Sequence, residues 1–165
     1  MINSDQEKLL LDLRLKRISY GEFKDNFGVV PYLLPVALKN RDAEFTATAL
    51  SYYFRTGFDT SMCPELIELL LSDFHTRHED LARVLQFDVR CPAAAPALAE
   101  AIRRQFAYLD EMGDYYPFVR KCLYALSTLR TPEAVAYVRE FAADPDPEIS
   151  RLAQHQLDEN DNFEG

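Results

Sequence analysis

The residues with the clearest potential for chemistry are the histidines and the glutamate of the segment His75-Thr-Arg-His78-Glu79. On one helix, His75 and His78 would share a face, because their spacing is close to one helical turn. Two imidazole nitrogens and a carboxylate oxygen form a ligand set that is found at zinc sites. Thr76, however, has the residue type and position of a helix N-cap, so that His75 would precede the helix and His78 would lie inside it. We therefore expect polar residues at a helix start, and we predict neither a metal nor a cofactor.

Patterns typical of enzymes are otherwise weak in this chain. The five glycines are scattered and form neither GxGxxG nor GxxxxGK, and no serine lies in GxSxG. The paired acids Asp110-Glu111 and Asp144/Asp146 could act in acid–base catalysis. Carboxylates at such positions more commonly cap helices or lie in solvated turns. We predict a protein that is not an enzyme. An enzyme or lyase-like helper is kept as an alternative, after the two binding functions described below.

The cysteines and the apolar segments indicate the cellular compartment of the protein. The three cysteines, Cys63, Cys91 and Cys122, are far apart and form no CxxC, so we expect reduced core residues of a cytosolic protein. The first residues, MINSDQEK, lack the basic and then apolar pattern of a secretory signal. The longest mostly apolar run, residues 28–38, contains two prolines and is too short to span a bilayer. We therefore predict a cytoplasmic protein.

The chain of 165 residues is strongly acidic, with a formal net charge of −9 and a sequence pI of about 4.8. Negative charge repels nucleic-acid phosphates and anionic membranes, and it attracts basic proteins. The basic residues form only small clusters, at residues 14–17 and at Arg103-Arg104. We therefore predict a protein partner, no nucleic acid and no membrane. In the alternative interpretation, the acidity only keeps the protein soluble.

The elements that must position these residues are predicted to be helices throughout. Apolar residues make up 48% of the chain and recur with the helical period, and no segment has strand-like alternation. We predict an all-α fold of about nine to eleven helices, with a single domain over residues 1–157 and a frayed acidic tail over residues 158–165. The predicted helices cover residues 5–15, 19–27, 30–40, 43–55, 64–74, 76–87, 92–109, 116–130, 131–143 and 147–157.

The clearest elements are two helices within residues 131–157. Thr131-Pro132 and Asp146-Pro147 each combine an N-cap residue with a proline at the first helical position. Pro145 pushes the residue before it out of the helical conformation, which ends the first of the two helices. Two apolar stripes joined by a short acidic turn predict an antiparallel helical hairpin.

A helical pattern of a bulky, a small and a bulky residue, four residues apart, recurs along the chain. It is found at Phe45, Ala49 and Tyr53, at Phe118, Cys122 and Leu126, and at Ile149, Ala153 and Leu157, with a weaker copy at Leu81, Leu85 and Val89. The offsets between successive copies are 36, 37 and 31 residues, a period typical of stacked helical repeats. Together with the hairpin over residues 131–157, the pattern resembles the HEAT-like family of α-helical repeats. The resemblance implies a right-handed α-α superhelix of antiparallel helix pairs, and an ordinary helical bundle is the alternative.

The segment Tyr108–Tyr116, YLDEMGDYY, has the composition of a binding surface. Tyrosine offers a large contact area at low entropic cost, and carboxylates beside it attract a basic partner. In the alternative interpretation, Tyr108 and Tyr116 are core residues and only the acids are exposed. The predicted partner-binding residues are Glu65, Glu68, Asp73, Glu100, Asp110, Glu111, Asp114 and Tyr115.

In size, acidity and lack of catalytic motifs, the chain also resembles the immunity proteins of bacterial polymorphic-toxin and contact-dependent inhibition systems, some of which are HEAT-like. The resemblance implies a protein that binds a toxin domain, often a basic nuclease, and covers its active site with acidic residues in place of phosphate. We predict a non-enzymatic binding module of this kind. A generic HEAT-like scaffold or adaptor protein without a toxin partner is the alternative.

Overall fold

The structure, a computed structural model, describes residues 3–23 and 31–160, apart from the side chain of Tyr20. In these residues the chain forms eleven α-helices and no strand, which confirms the predicted all-α fold. None of the helices in these ranges is long and apolar enough to cross a membrane. The chain divides into two compact units, residues 1–57 and residues 58–165.

The described part of the first unit contains four helices, and polar side chains cap the starts of all of them but the third. They are α1 (Ser4–Arg14), α2 (Tyr20–Phe23), α3 (Leu33–Asn40) and α4 (Ala43–Thr56). Ser19 and Glu22 form a capping box before α2, and Asp42 caps α4. Gly57 follows α4 with a φ of +100°, a conformation that favours glycine. The predicted continuation of α2 to residue 27 lies outside the described residues.

Seven helices of the second unit are described, and six of them, all but the fourth, pack as three pairs in two rows. They are α5 (Cys63–Leu70), α6 (His78–Phe87), α7 (Ala95–Arg104), α8 (Ala107–Met112), α9 (Tyr115–Leu129), α10 (Pro132–Ala142) and α11 (Pro147–Glu159), with short 3-10 helices at Thr60–Met62 and Pro92–Ala94. Within pairs, α5 contacts α6, α7 contacts α9, and α10 contacts α11. Between pairs, α5, α7 and α10 are successive neighbours in one row, and α6, α9 and α11 are successive neighbours in the other.

The helices of the second row begin at the same end of the unit. His78, at the start of α6, lies near Phe118 in the first turn of α9, with ring centroids 6.1 Å apart. Tyr116, also at the start of α9, donates a hydrogen bond to Asp146, the N-cap of α11. The starts of α6, α9 and α11 therefore lie side by side.

The repeated bulky and small residues lie on the buried side of these helices, except for Leu157 on α11, which is only half-buried. Fully buried are Phe118, Cys122 and Leu126 on α9, Leu81 and Leu85 on α6 with Val89 after it, and Ala153 on α11. On α4 of the first unit, Phe45, Ala49 and Tyr53 are buried in the same way. A small residue in the middle of a buried stripe lets the neighbouring helix approach closely.

Replacing Ala153 by Phe is expected to lower the free energy of unfolding by about 1–3 kcal/mol, because the close-packed interior must then accept a large ring. Ala153 is fully buried on α11, which packs against α9 and α10. Urea unfolding measures the change. Ala136→Phe, at an exposed position of α10, is the matched control and is expected to change stability little. An unchanged Ala153→Phe variant would show that α11 does not pack closely.

The prediction of one long helix over residues 92–109 is wrong. This segment forms α7 and α8, with a break between them. Gln105 adopts a left-handed backbone conformation with a φ of 47°, which ends α7. Phe106 then enters the core and lies against His78, with ring centroids 3.8 Å apart. Packing of this ring overrides the helical propensity of the segment, and Asp110, predicted to begin a loop, belongs to α8.

Two further helix limits differ from the prediction. Helix α5 ends at Leu70, whereas the sequence predicts an end at Phe74. The predicted N-cap at Thr76 is wrong, because α6 has Arg77 as its N-cap and no side chain accepts a hydrogen bond there. The backbone N–H of Arg77 instead donates to His75 Nδ1 over 3.0 Å. A buried histidine therefore replaces the predicted threonine as the local hydrogen-bond acceptor.

The helical hairpin of α10 and α11 is confirmed. Thr131 caps α10 and Asp146 caps α11, each through a side-chain oxygen that accepts backbone N–H groups. Helix α11 ends at Glu159, two residues beyond the predicted limit at Leu157. Residues 161–165 of the predicted tail lie outside the described residues.

The prediction of three reduced cysteines is wrong, because Cys63 and Cys91 form a disulfide with Cα atoms 6.2 Å apart. Cys63 begins α5 and Cys91 follows α6, and the packing of these two helices brings the thiols together. Cys122 is free and fully buried in α9, where burial raises the pKa of its thiol. Disulfides are typical of oxidising compartments, so the cysteines do not support the predicted cytoplasmic location.

Candidate protein-binding surface

Acidic side chains from three segments of the second unit lie where α9 and α11 begin. They are Asp110 and Glu111 on α8, Asp114 before α9, and Asp144 and Asp146 in the turn between α10 and α11, and we call these residues the acidic face. The Tyr116 hydroxyl donates to Asp146 Oδ2 over 2.9 Å and so connects α9 to this turn. Burial raises the pKa of the Tyr115 hydroxyl, and the charges of Asp146 and Asp110 raise it further. Carboxylates from α8 and from the turn are therefore close enough to act on one tyrosine.

The carboxylates of the acidic face lack ion-pair partners among the described residues. Other acids of the unit are paired, namely Glu79 with Lys121, Glu140 with Arg103 and Glu148 with Arg151. The acidic face therefore presents a negative potential to solvent.

Exposed apolar atoms accompany these acids. Met112 on α8 is 68% exposed, Tyr116 on α9 is 41% exposed, and Pro145 in the turn is exposed as well. Methionine and tyrosine are enriched in the buried cores of protein interfaces, whereas polar residues form the rim. The combination can provide both apolar contact area and electrostatic attraction.

Tyr115, predicted to contact a partner, does not lie on this surface. Its side chain is only 8% exposed, and its hydroxyl donates to the carbonyl oxygen of Ile102 over 3.0 Å. Its neighbour Tyr116 is the exposed tyrosine. The sequence contains a signal for this assignment, because Tyr115 shares a helical stripe with the buried Phe118 and Cys122. The prediction misses this signal because α9 begins one residue earlier than expected.

The other predicted contact residues are dispersed over the first row of helices. Glu65 and Glu68 lie on α5, Asp73 follows α5, and Glu100 lies on α7. Glu65 is half-buried, and Glu100 accepts a hydrogen bond from Arg104 over 3.2 Å. The structure therefore brings together only part of the predicted set, at α8 and the start of α9, and adds the turn acids Asp144 and Asp146.

His75 and His78 are buried side by side and form a polar cluster with Tyr108. The two imidazole rings stack with centroids 4.5 Å apart. His78 Nε2 lies 2.7 Å from the carbonyl oxygen of Ser72, and Nδ1 lies 2.8 Å from the Tyr108 hydroxyl. Because a carbonyl oxygen can only accept, Nε2 carries the proton and Nδ1 accepts from the tyrosine. His75 is held in the same way, between the carbonyl oxygen of Leu69 and a backbone N–H.

These hydrogen bonds occupy every imidazole nitrogen of the cluster, so that none is left for a metal. Glu79, the third candidate ligand, is paired with Lys121. Within residues 3–23 and 31–160, no group of three or more His, Cys, Asp or Glu could hold a metal ion. Burial lowers the pKa of His75, and burial together with the neighbouring His75 lowers the pKa of His78 to about 4. Both imidazoles are therefore neutral and hold the start of α6 in place.

No protein-family model, no curated protein and no solved structure matches this chain. Its function is therefore inferred from its own residues.

Proposed function

We propose that the protein is a non-enzymatic binding module that recognises a basic protein through the acidic face. The observation that carries this proposal is the group of carboxylates from three segments, none paired with a described cation, together with the exposed side chains of Met112 and Tyr116 on two of the helices that carry or adjoin them. Unpaired carboxylates increase the rate at which a basic partner is captured. Apolar and aromatic atoms at the centre of a surface supply most of the binding free energy.

We further propose that the helix pairs of the second unit form a right-handed α-α superhelix of the HEAT-like type. Two observations support this architecture: the pairing of each second-row helix with a first-row helix, and the successive contacts of α6, α9 and α11. Stacked helix pairs of this kind present extended surfaces that bind partners.

The partner that best matches the acidic face is a basic toxin domain of the nuclease type, and the protein would be its immunity protein. Carboxylates in place of nucleic-acid phosphates would block such an active site electrostatically. Co-expression is expected to restore the growth of cells that express a toxin gene located next to the gene for this chain. Failure to rescue, combined with binding to a non-toxic protein, would leave the scaffold or adaptor function.

The proposal includes the predicted cytoplasmic location. The Cys63–Cys91 disulfide argues against this location, because the thiols of cytosolic proteins are kept reduced. Alkylation of the protein inside cells of its native host, followed by mass spectrometry, distinguishes the two cases. Alkylated Cys63 and Cys91 support the cytoplasm, and a disulfide in the cell supports an oxidising compartment.

Replacing Asp110, Glu111 and Asp114 together by lysine is expected to weaken partner binding by more than about tenfold, because attraction becomes repulsion. The salt dependence of the affinity should also decrease, since fewer opposite charges remain for salt to screen. Titration calorimetry at low and at moderate salt measures both effects.

A control variant carries the same change in net charge elsewhere on the second unit. It replaces the exposed acids Asp88, Glu133 and Asp158, which lie at the end of α6, the start of α10 and the end of α11. The control is expected to bind as the wild-type protein does, apart from a small long-range effect. Equal losses in both variants, or no loss in either, would exclude the acidic face as the binding site.

A further inference from the structure

A polar cleft of about 750 Å³ lies at the opposite end of the second-row helices, where α6, α9 and α11 end. Its walls include Arg90 after α6, Tyr124 and Ser127 on α9, Arg130 after α9, and Gln156 and Glu159 on α11. This volume is in the range of pockets that hold small molecules. All of these residues belong to the second unit.

Two polar side chains that line the cleft are buried without a hydrogen-bond partner among the described residues. Ser127 is 4% exposed and Gln156 is 2% exposed, and the unpaired atoms are Ser127 Oγ and Gln156 Nε2. A buried polar group without a partner costs about 1–3 kcal/mol. An amide nitrogen can only donate, and a hydroxyl can donate as well. An occupant that offers hydrogen-bond acceptors would therefore offset this cost.

Positive charge is concentrated at the same cleft, although the chain has a net charge of −9. Arg90 and Arg130 are exposed, and neither forms an ion pair with a residue that the structure describes. The acid on the wall, Glu159, lies 3.4 Å from His155 Nε2. An arginine next to a helix C-terminus also stabilises the helix dipole. Stabilisation of the helix dipole explains the position of Arg130, which follows α9. It does not explain why Ser127 Oγ and Gln156 Nε2 are buried without a hydrogen-bond partner among the described residues.

We propose that this cleft binds a small organic anion through a carboxylate or phosphate group. Arg90 and Arg130 hold the negative charge, because guanidinium groups match the oxygens of both anions in a bidentate geometry. Ser127 and Gln156 donate hydrogen bonds to the same group, and Tyr124 contacts the organic part. The cleft lies at the other end of the helices from the acidic face. An anion can therefore bind in the cleft without a protein partner on the acidic face.

The test is a titration of the protein with succinate, with inorganic phosphate and with succinamide as the uncharged match, at constant ionic strength. Amide proton–nitrogen correlation spectra report on the Gln156 side chain and on the backbone of Ser127. We expect saturable shifts of these signals with at least one anion and none with succinamide. Tighter binding of succinate identifies a carboxylate ligand, and tighter binding of phosphate identifies a phosphorylated one.

Variants distinguish specific binding of the anion in the cleft from nonspecific electrostatic attraction to the protein. Arg90→Gln combined with Arg130→Gln should weaken anion binding by about tenfold or more. Arg120→Gln combined with Arg139→Gln removes two exposed arginines outside the cleft and should leave the affinity unchanged. Ser127→Ala should weaken binding without lowering the free energy of unfolding, because the hydroxyl has no described partner. The absence of saturable shifts with both anions, or an equal loss in the Arg120/Arg139 control, would overturn the proposal.

Discussion

Reduction of the Cys63–Cys91 disulfide is expected to lower the free energy of unfolding by about 3–4 kcal/mol. The bond joins residues that are 28 positions apart in the sequence. A cross-link over a loop of this length removes conformational entropy from the unfolded chain, so that its loss stabilises the unfolded state. Helices α5 and α6 also contact each other directly, and we therefore expect the reduced protein to fold. Urea unfolding with and without reductant measures the difference.

The control for this experiment is a variant with Cys63→Ser and Cys91→Ser, whose stability should not respond to reductant. Thiol titration of the unfolded and unreduced chain should find one free thiol, Cys122, among the three cysteines. Three reactive thiols, together with no effect of reductant on the wild-type protein, would contradict the disulfide.

Lowering the pH from above 6.5 to about 4 is expected to reduce the free energy of unfolding by about 3 kcal/mol through His78 alone. In the unfolded chain, the imidazole binds its proton near pH 6.5, whereas in the folded protein burial and the neighbouring His75 lower this pKa to about 4. The unfolded state therefore binds more protons in this pH range. The stability is fully present above pH 6.5 and is lost as the pH falls through the folded-state pKa.

The variant His78→Gln isolates this contribution from that of the carboxylates, which titrate at the lower end of the same pH range. A glutamine can donate to the Ser72 carbonyl and accept from the Tyr108 hydroxyl, as His78 does, but it binds no proton. Unfolding free energies measured across this pH range should fall less steeply for His78→Gln than for the wild-type protein. Equal slopes for His78→Gln and the wild-type protein would show that His78 is not a buried neutral group.

Features of the fold that depend on local interactions could be predicted from the sequence. The starts of α10 and α11 are correct because Thr131 and Asp146 satisfy backbone N–H groups within their own helices. The repeated stripes correctly identify buried faces, because burial follows the helical period. The break between α7 and α8 could not be predicted from local interactions. It depends on Phe106 packing against His78, which lies on another helix.

Features that depend on the packing of distant segments could not be predicted. The Cys63–Cys91 disulfide exists because α5 and α6 pack together. Asp144 and Asp146 are visible in the sequence as turn residues, but only the packing of α11 against α9 brings Asp146 to Tyr116. The cleft with its buried Ser127 and Gln156 likewise requires the ends of α9 and α11 to meet, and a serine and a glutamine in separate helices give no signal in the sequence.

The most direct test of the acidic face is the capture of a partner from a lysate of the native host with two baits in parallel. One bait is the wild-type protein, and the other is the lysine variant at Asp110, Glu111 and Asp114. We predict that the wild-type bait retains one small basic protein at low salt, that moderate salt releases it, and that the variant does not retain it. Retention of the same protein by both baits, or a wild-type bait that retains no basic protein, would contradict the proposed function.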